Sequence, residues 1–61
     1  MMKAKMTEQE LRKLDAREIK GYYSETKNAE YLGSIMGAYG DYNYYRMADG
    51  TYAFSYFSIG D

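Results

Sequence analysis

Between Tyr42 and Phe57 large aromatic side chains are interleaved with small and polar ones on either side of an Ala48-Asp49-Gly50 break, and this pattern points to a β-hairpin. The segment holds seven of the chain's eleven aromatic residues and two charged ones, Arg46 and Asp49. Its register decides what it displays. If Asp49-Gly50 alone make the turn, Ala48 pairs with Thr51 and both faces are mixed. If Ala48-Asp49-Gly50 form a three-residue loop with Gly50 left-handed, Met47 pairs with Thr51. Tyr42, Tyr44, Arg46, Tyr52, Phe54 and Tyr56 then share one face, and Asn43, Tyr45, Met47, Thr51, Ala53, Ser55 and Phe57 the other. A strand holds its register best when its two faces differ, so the second register is preferred.

Upstream, Thr7 followed by Glu10 reads as a capping box, with the threonine hydroxyl taking one free helix amide and the glutamate reaching back to another. A helix over about 7–22 would collect Leu11, Leu14, Ile19, Tyr22 and Tyr23 on one broad face. Gly21 weakens its far end by about 1 kcal/mol relative to alanine. The alternative is a short helix over 8–14 with residues 17–24 extended as a third strand. Tyr31, Leu32, Ile35, Met36 and Tyr39 recur at helical spacing after Asn28, a plausible cap, and before Gly40, so a second helix is expected over about 29–39. Ala29, Gly33 and Gly37 line its other side, and two glycines inside a helix cost roughly 2 kcal/mol, a cost that close approach of another backbone would justify. The fold class is therefore α+β: two N-terminal helices packed on a C-terminal antiparallel hairpin of strands at about 42–47 and 51–58. Residues 1–6 read as a flexible tail of one single domain spanning 1–61.

Sixty-one residues bury only about 60% of the surface that the unfolded chain exposes, so a core of this size is marginal. There is no Cys and no His, which removes disulfides, thiolate chemistry and ordinary zinc or haem ligation, and no cofactor is expected. Residues 1–30 carry seven Lys/Arg and six Asp/Glu, whereas 31–61 carry one Arg and three Asp. With no apolar run near the roughly 18 residues of a membrane span, the chain reads as soluble and cytoplasmic.

Catalysis has little to work with. Glu8, Glu10, Asp15 and Glu18 sit among lysines and arginines, as on a solvated helix face, and Asp41 and Asp49 are turn residues. A non-enzymatic protein-binding module is the better reading, since tyrosine offers rigid contact area with a polar tip and arginine adds charge and stacking. The candidate contact residues are Tyr42, Tyr44, Arg46, Tyr52 and Tyr56, on a face that must also supply part of the core. The expected partner is another protein, in the manner of the small accessory or inhibitory proteins that phages encode. A homo-oligomer built through strand edges or aromatic packing is the second reading, because Thr51–Ser58 carries neither charge nor proline. Single-stranded nucleic acid stacked on the tyrosines is the third and weakest, because Arg46 is the hairpin's one cation.

Overall fold

The computed structural model describes residues 4–58, as α1 (Glu8–Arg12), β1 (Ala16–Glu18), α2 (Tyr23–Thr26), β2 (Glu30–Met36), β3 (Gly40–Arg46) and β4 (Tyr52–Ser58). The strands make one sheet in the order β1-β4-β3-β2, with β1 parallel to β4 and the other neighbours antiparallel. The α+β class stands, but two long helices on a two-stranded hairpin do not. Short helices accompany a four-stranded mixed sheet instead.

The capping box forms as read: the Glu10 N–H donates to the Thr7 hydroxyl (3.2 Å) and the Thr7 N–H to the Glu10 carboxylate (2.8 Å). The helix stops far short of residue 22. Lys13 and Leu14 donate to the carbonyls of Glu10 and Leu11 (3.2 and 3.1 Å), i→i−3 bonds that tighten and close the last turn. The chain then runs extended as β1 beside Tyr52–Phe54, where tertiary pairing outweighs helical propensity. The short-helix alternative was nearer, although the strand is Ala16–Glu18 and the helical turn Tyr23–Thr26 overlaps the end of the span expected to be extended, 17–24.

The helix expected over 29–39 is corrected to strand β2, and a bulge explains the misreading. In a regular strand Leu32 and Ile35, three apart, would face opposite sides. The register slips by one residue between Tyr31 and Gly33, so both side chains turn toward α1 and imitate a helical spacing. Gly33 has a φ of 147°, and a Cβ there would lie 3.2 Å from the Met6 carbonyl and 3.3 Å from Leu11. The close backbone approach expected of the small-residue stripe is thus made at Gly33, by the N-terminal segment. Lys5 and Met6 both donate backbone N–H groups to the Leu32 carbonyl (2.8 and 3.0 Å), so these two residues of the expected tail lie along β2. Of that tail, residues 1–3 fall outside the described residues.

The hairpin adopts the three-residue loop. Met47 donates to Thr51 (2.8 Å), Gly50 donates back to Met47 (2.9 Å) with φ 89°, and the ladder pairs Arg46 with Tyr52, Tyr44 with Phe54 and Tyr42 with Tyr56. On that face α1 packs through Leu11, 1% exposed, against Leu32 and Ile35, with Met6, Leu14, Tyr44 and Tyr52 around them. The connection from β1 to β2 must cross from one edge of the sheet to the other. It passes over the opposite face, where Gly21 meets the side chain of Ser55, and Ala53 and Ser55 are buried.

Candidate functional site

The two covering layers sit toward the Ala48–Gly50 end, and the other end of the sheet, at the turn between β2 and β3, projects beyond them. Met36 is 80% exposed, Tyr39 77% and Phe57 62%, with Tyr42 and Tyr56 at 36% and 39%. Register explains their grouping. Tyr42 pairs with Ile35 on one side and Tyr56 on the other, while Asp41 pairs with Met36 and Phe57 on the reverse face. The bare end therefore carries exposed apolar side chains on both faces, with Asp41 between Met36 and Phe57 on the reverse one and Tyr39 on the turn between β2 and β3.

The five candidate residues do share one face, and their surroundings divide them. Tyr44 and Tyr52 pack against the Leu11 cluster and contribute to the core. Arg46 is bound within the chain: its Nε and Nη2 donate to Oε1 of Glu30 (3.0 and 2.6 Å), while Lys5 takes the other oxygen (2.5 Å). The Lys5 bond, and after it the Arg46 bond, holds the Glu30 carboxyl below the usual carboxylate range. The Glu30 bond in turn raises the Arg46 guanidinium. That triad ties the N-terminal segment, β2 and β3 together, all at the surface.

Tyr42 and Tyr56 remain as the available pair. Their rings are 4.9 Å apart, and Phe54 links them to the core, 5.9 Å from Tyr42 and 5.6 Å from Tyr44. Two of these pairs are tilted and Tyr42–Phe54 is edge to face; aromatic pairs add about 0.5–1.5 kcal/mol each beyond their buried area, which restrains the exposed rings. Beside them lies an open groove of about 390 Å³ whose lining includes Arg12, Ile35, Met36, Tyr42 and Phe54. Arg12 is paired with Glu8 one helical turn earlier (2.7 Å). Groove and ring ladder together offer a largely apolar surface with one cation at its rim.

Met36, Tyr39 and Phe57 were missed as surface residues by sequence reading. Met36 and Tyr39 belonged to the apolar stripe of the expected second helix, so a strand there was needed before their exposure could show. Elsewhere, Tyr31 and Tyr45 meet edge to face at 5.9 Å, and Tyr22 and Tyr23 stand exposed before and within α2. At the far loop the Asp49 carboxylate accepts the Thr51 hydroxyl (2.6 Å) and N–H (3.0 Å), bonds that lower its pKa. Arg17 donates to the same hydroxyl (2.6 Å), joining β1 to the loop. Among the described residues no three His, Cys, Asp or Glu side chains cluster as a metal site, and no helix is long and apolar enough to cross a membrane. No family model, curated protein or solved structure matches the chain.

Proposed function

We propose that the protein is a non-enzymatic binding module that engages another protein through the bare end of its sheet, with Tyr42 and Tyr56 as anchors and the groove beside Ile35 and Met36 receiving an apolar side chain. One observation carries this reading: among the described residues, five of the seven large apolar side chains that stand exposed gather at one end of the sheet. Scattered single residues of this kind mean little, whereas a contiguous group marks an interaction surface. Ring contacts hold Tyr42 and Tyr56 in place before binding, so less side-chain entropy is lost on docking. Steric occlusion of the partner is the mechanism such a surface would use, while the charged helix stays in water.

Base stacking on the same rings has less support, because Arg46 is engaged by Glu30 and Arg12 by Glu8. The test is retention of a partner from lysate by the wild type, by Tyr42→Ala/Tyr56→Ala and by Tyr22→Ala/Tyr23→Ala. Loss in the first double variant alone supports the proposal. Equal retention by all three proteins counts against this surface.

A further inference from the structure

The backbone at the same end of the sheet has an unpaired edge. Met47 donates to Thr51, so Met47–Thr51 is a hydrogen-bonded pair and, by the alternation of an antiparallel ladder, so are Tyr45–Ala53, Asn43–Ser55 and Asp41–Phe57. Tyr52, Phe54, Tyr56 and Ser58 consequently turn their N–H and C=O groups away from β3. β1 meets this outer side only from Tyr52 to Phe54, whose carbonyl accepts the Ile19 N–H at 2.9 Å. Beyond Ile19 the segment that follows β1 leaves the sheet, and among the described residues no strand meets the outward groups of Tyr56 and Ser58.

The other edges are blunted in the ways that sheet proteins use against pairing. β1 is three residues long and carries Arg17 and Glu18. β2 is bulged, has Gly33 within it, and is overlaid at Leu32 by the backbone of Lys5 and Met6. The free length of β4 has no such device: Ser55, Tyr56, Phe57 and Ser58 include no charge, proline or glycine.

We infer that this edge pairs with the same edge of a second copy of the chain, antiparallel across a two-fold axis near Phe57 and Ser58. Three features select a second copy. A donor and an acceptor alternate along one short edge, so the edge is self-complementary under a two-fold rotation. An uncharged segment can meet itself without the like-charge repulsion that a charged edge would bring. Phe57, exposed on the reverse face, would meet its own symmetry mate across the axis and give the short ladder an apolar contact. The joined sheet would run to eight strands and bring the two Tyr42–Tyr56 ladders side by side on one face. Pairing uses the edge and Phe57 on the reverse face and leaves the Tyr42–Tyr56 face free, so the inference does not require the partner proposed above.

The test is sedimentation of the full chain over a micromolar to millimolar range, with circular dichroism to follow the fold. The wild type is expected at twice the 7.1 kDa of one chain. Ser58→Pro removes an N–H that β3 does not use, so the sheet should persist while dimerisation weakens by about tenfold to a hundredfold. Phe57→Lys, which sets two cations against each other at the axis, should weaken it comparably and decides the matter if the proline variant fails to fold. Met36→Lys, on the opposite edge strand, should leave the dimer intact. A wild type that stays monomeric into the millimolar range overturns the inference and leaves the edge to a strand of another protein. A dimer that survives Phe57→Lys and dissolves on Met36→Lys overturns it equally, by placing the contact at β2.

Discussion

Tyr42 on β3 and Tyr56 on β4 stand directly opposite each other, ring centroids 4.9 Å apart, while Tyr44 and Tyr52 of the same face pack against the cluster around Leu11. One aromatic face thus does two jobs, separated by position along the strands. Its half nearer the Ala48–Gly50 loop is core, and its half nearer the Gly37–Gly40 turn is surface.

Leu11 is the only large side chain of α1 fully enclosed, and among the described residues α1 is the helix that covers the aromatic face. Leu11→Ala should lose about 3 kcal/mol through lost contacts and a residual cavity. A domain this small holds only a few kcal/mol in reserve. Thermal unfolding followed by circular dichroism is expected to show a largely unfolded variant at 37 °C, whereas Leu14→Ala, at a half-buried site, should fold.

Gly50 isolates backbone strain from packing. Its φ is 89°, yet a Cβ there would meet nothing within 4 Å. Gly50→Ala should therefore destabilise by about 1–2 kcal/mol from the left-handed backbone alone, and Gly50→Asn by clearly less. Urea denaturation midpoints measure both, and equal midpoints for Ala, Asn and Gly would mean that the loop does not hold this conformation.

Gly40 gives the opposite case. A Cβ at this position would overlap the Phe57 carbonyl and lie 2.9 Å from Ser58 Cα, with no unusual φ involved. Gly40→Ala should push β3 and β4 apart at the bare end. Amide exchange should then quicken at Asp41 and Phe57 more than at Tyr45 and Ala53.

Acid should weaken the fold through Glu30 and Asp49. Both carboxyls are depressed in the folded chain, Glu30 first by Lys5 and then by Arg46, Asp49 by Thr51. A depressed carboxyl binds fewer protons folded than unfolded, so its stabilisation is complete above the unfolded value near about 4 and is lost as pH falls through the lower folded value. The groups stand in water, so the change is modest. Melting temperature against pH should decline below about pH 4, and Glu30→Gln should flatten part of that decline.

Local chemistry was legible in the sequence wherever the deciding contacts lie within a few residues. Thr7 and Glu10 close their own capping box, and Gly50 sets the hairpin register by permitting a left-handed third loop position. What could not be read depended on distant pairing. Leu32 and Ile35 share a face because of a bulge against β3, and nothing local distinguishes that spacing from a helical one. Ile19 and Tyr22 fit the period of a longer helix, but β4 offers its outer edge to Ala16–Glu18. Arg46 was a natural contact residue by composition. Its bond to Glu30 became visible only once residue 30 lay on the neighbouring strand rather than in a helix.

The most direct test of the bare sheet end as a binding surface is site-specific photocrosslinking in cells, with a benzophenone amino acid in place of Tyr56 and, for comparison, of Tyr23, which is 79% exposed elsewhere. A discrete adduct with one foreign protein from position 56, and none from position 23, is the expected result. Adducts of the same pattern from both positions, or a foreign adduct from position 23 alone, would contradict the account.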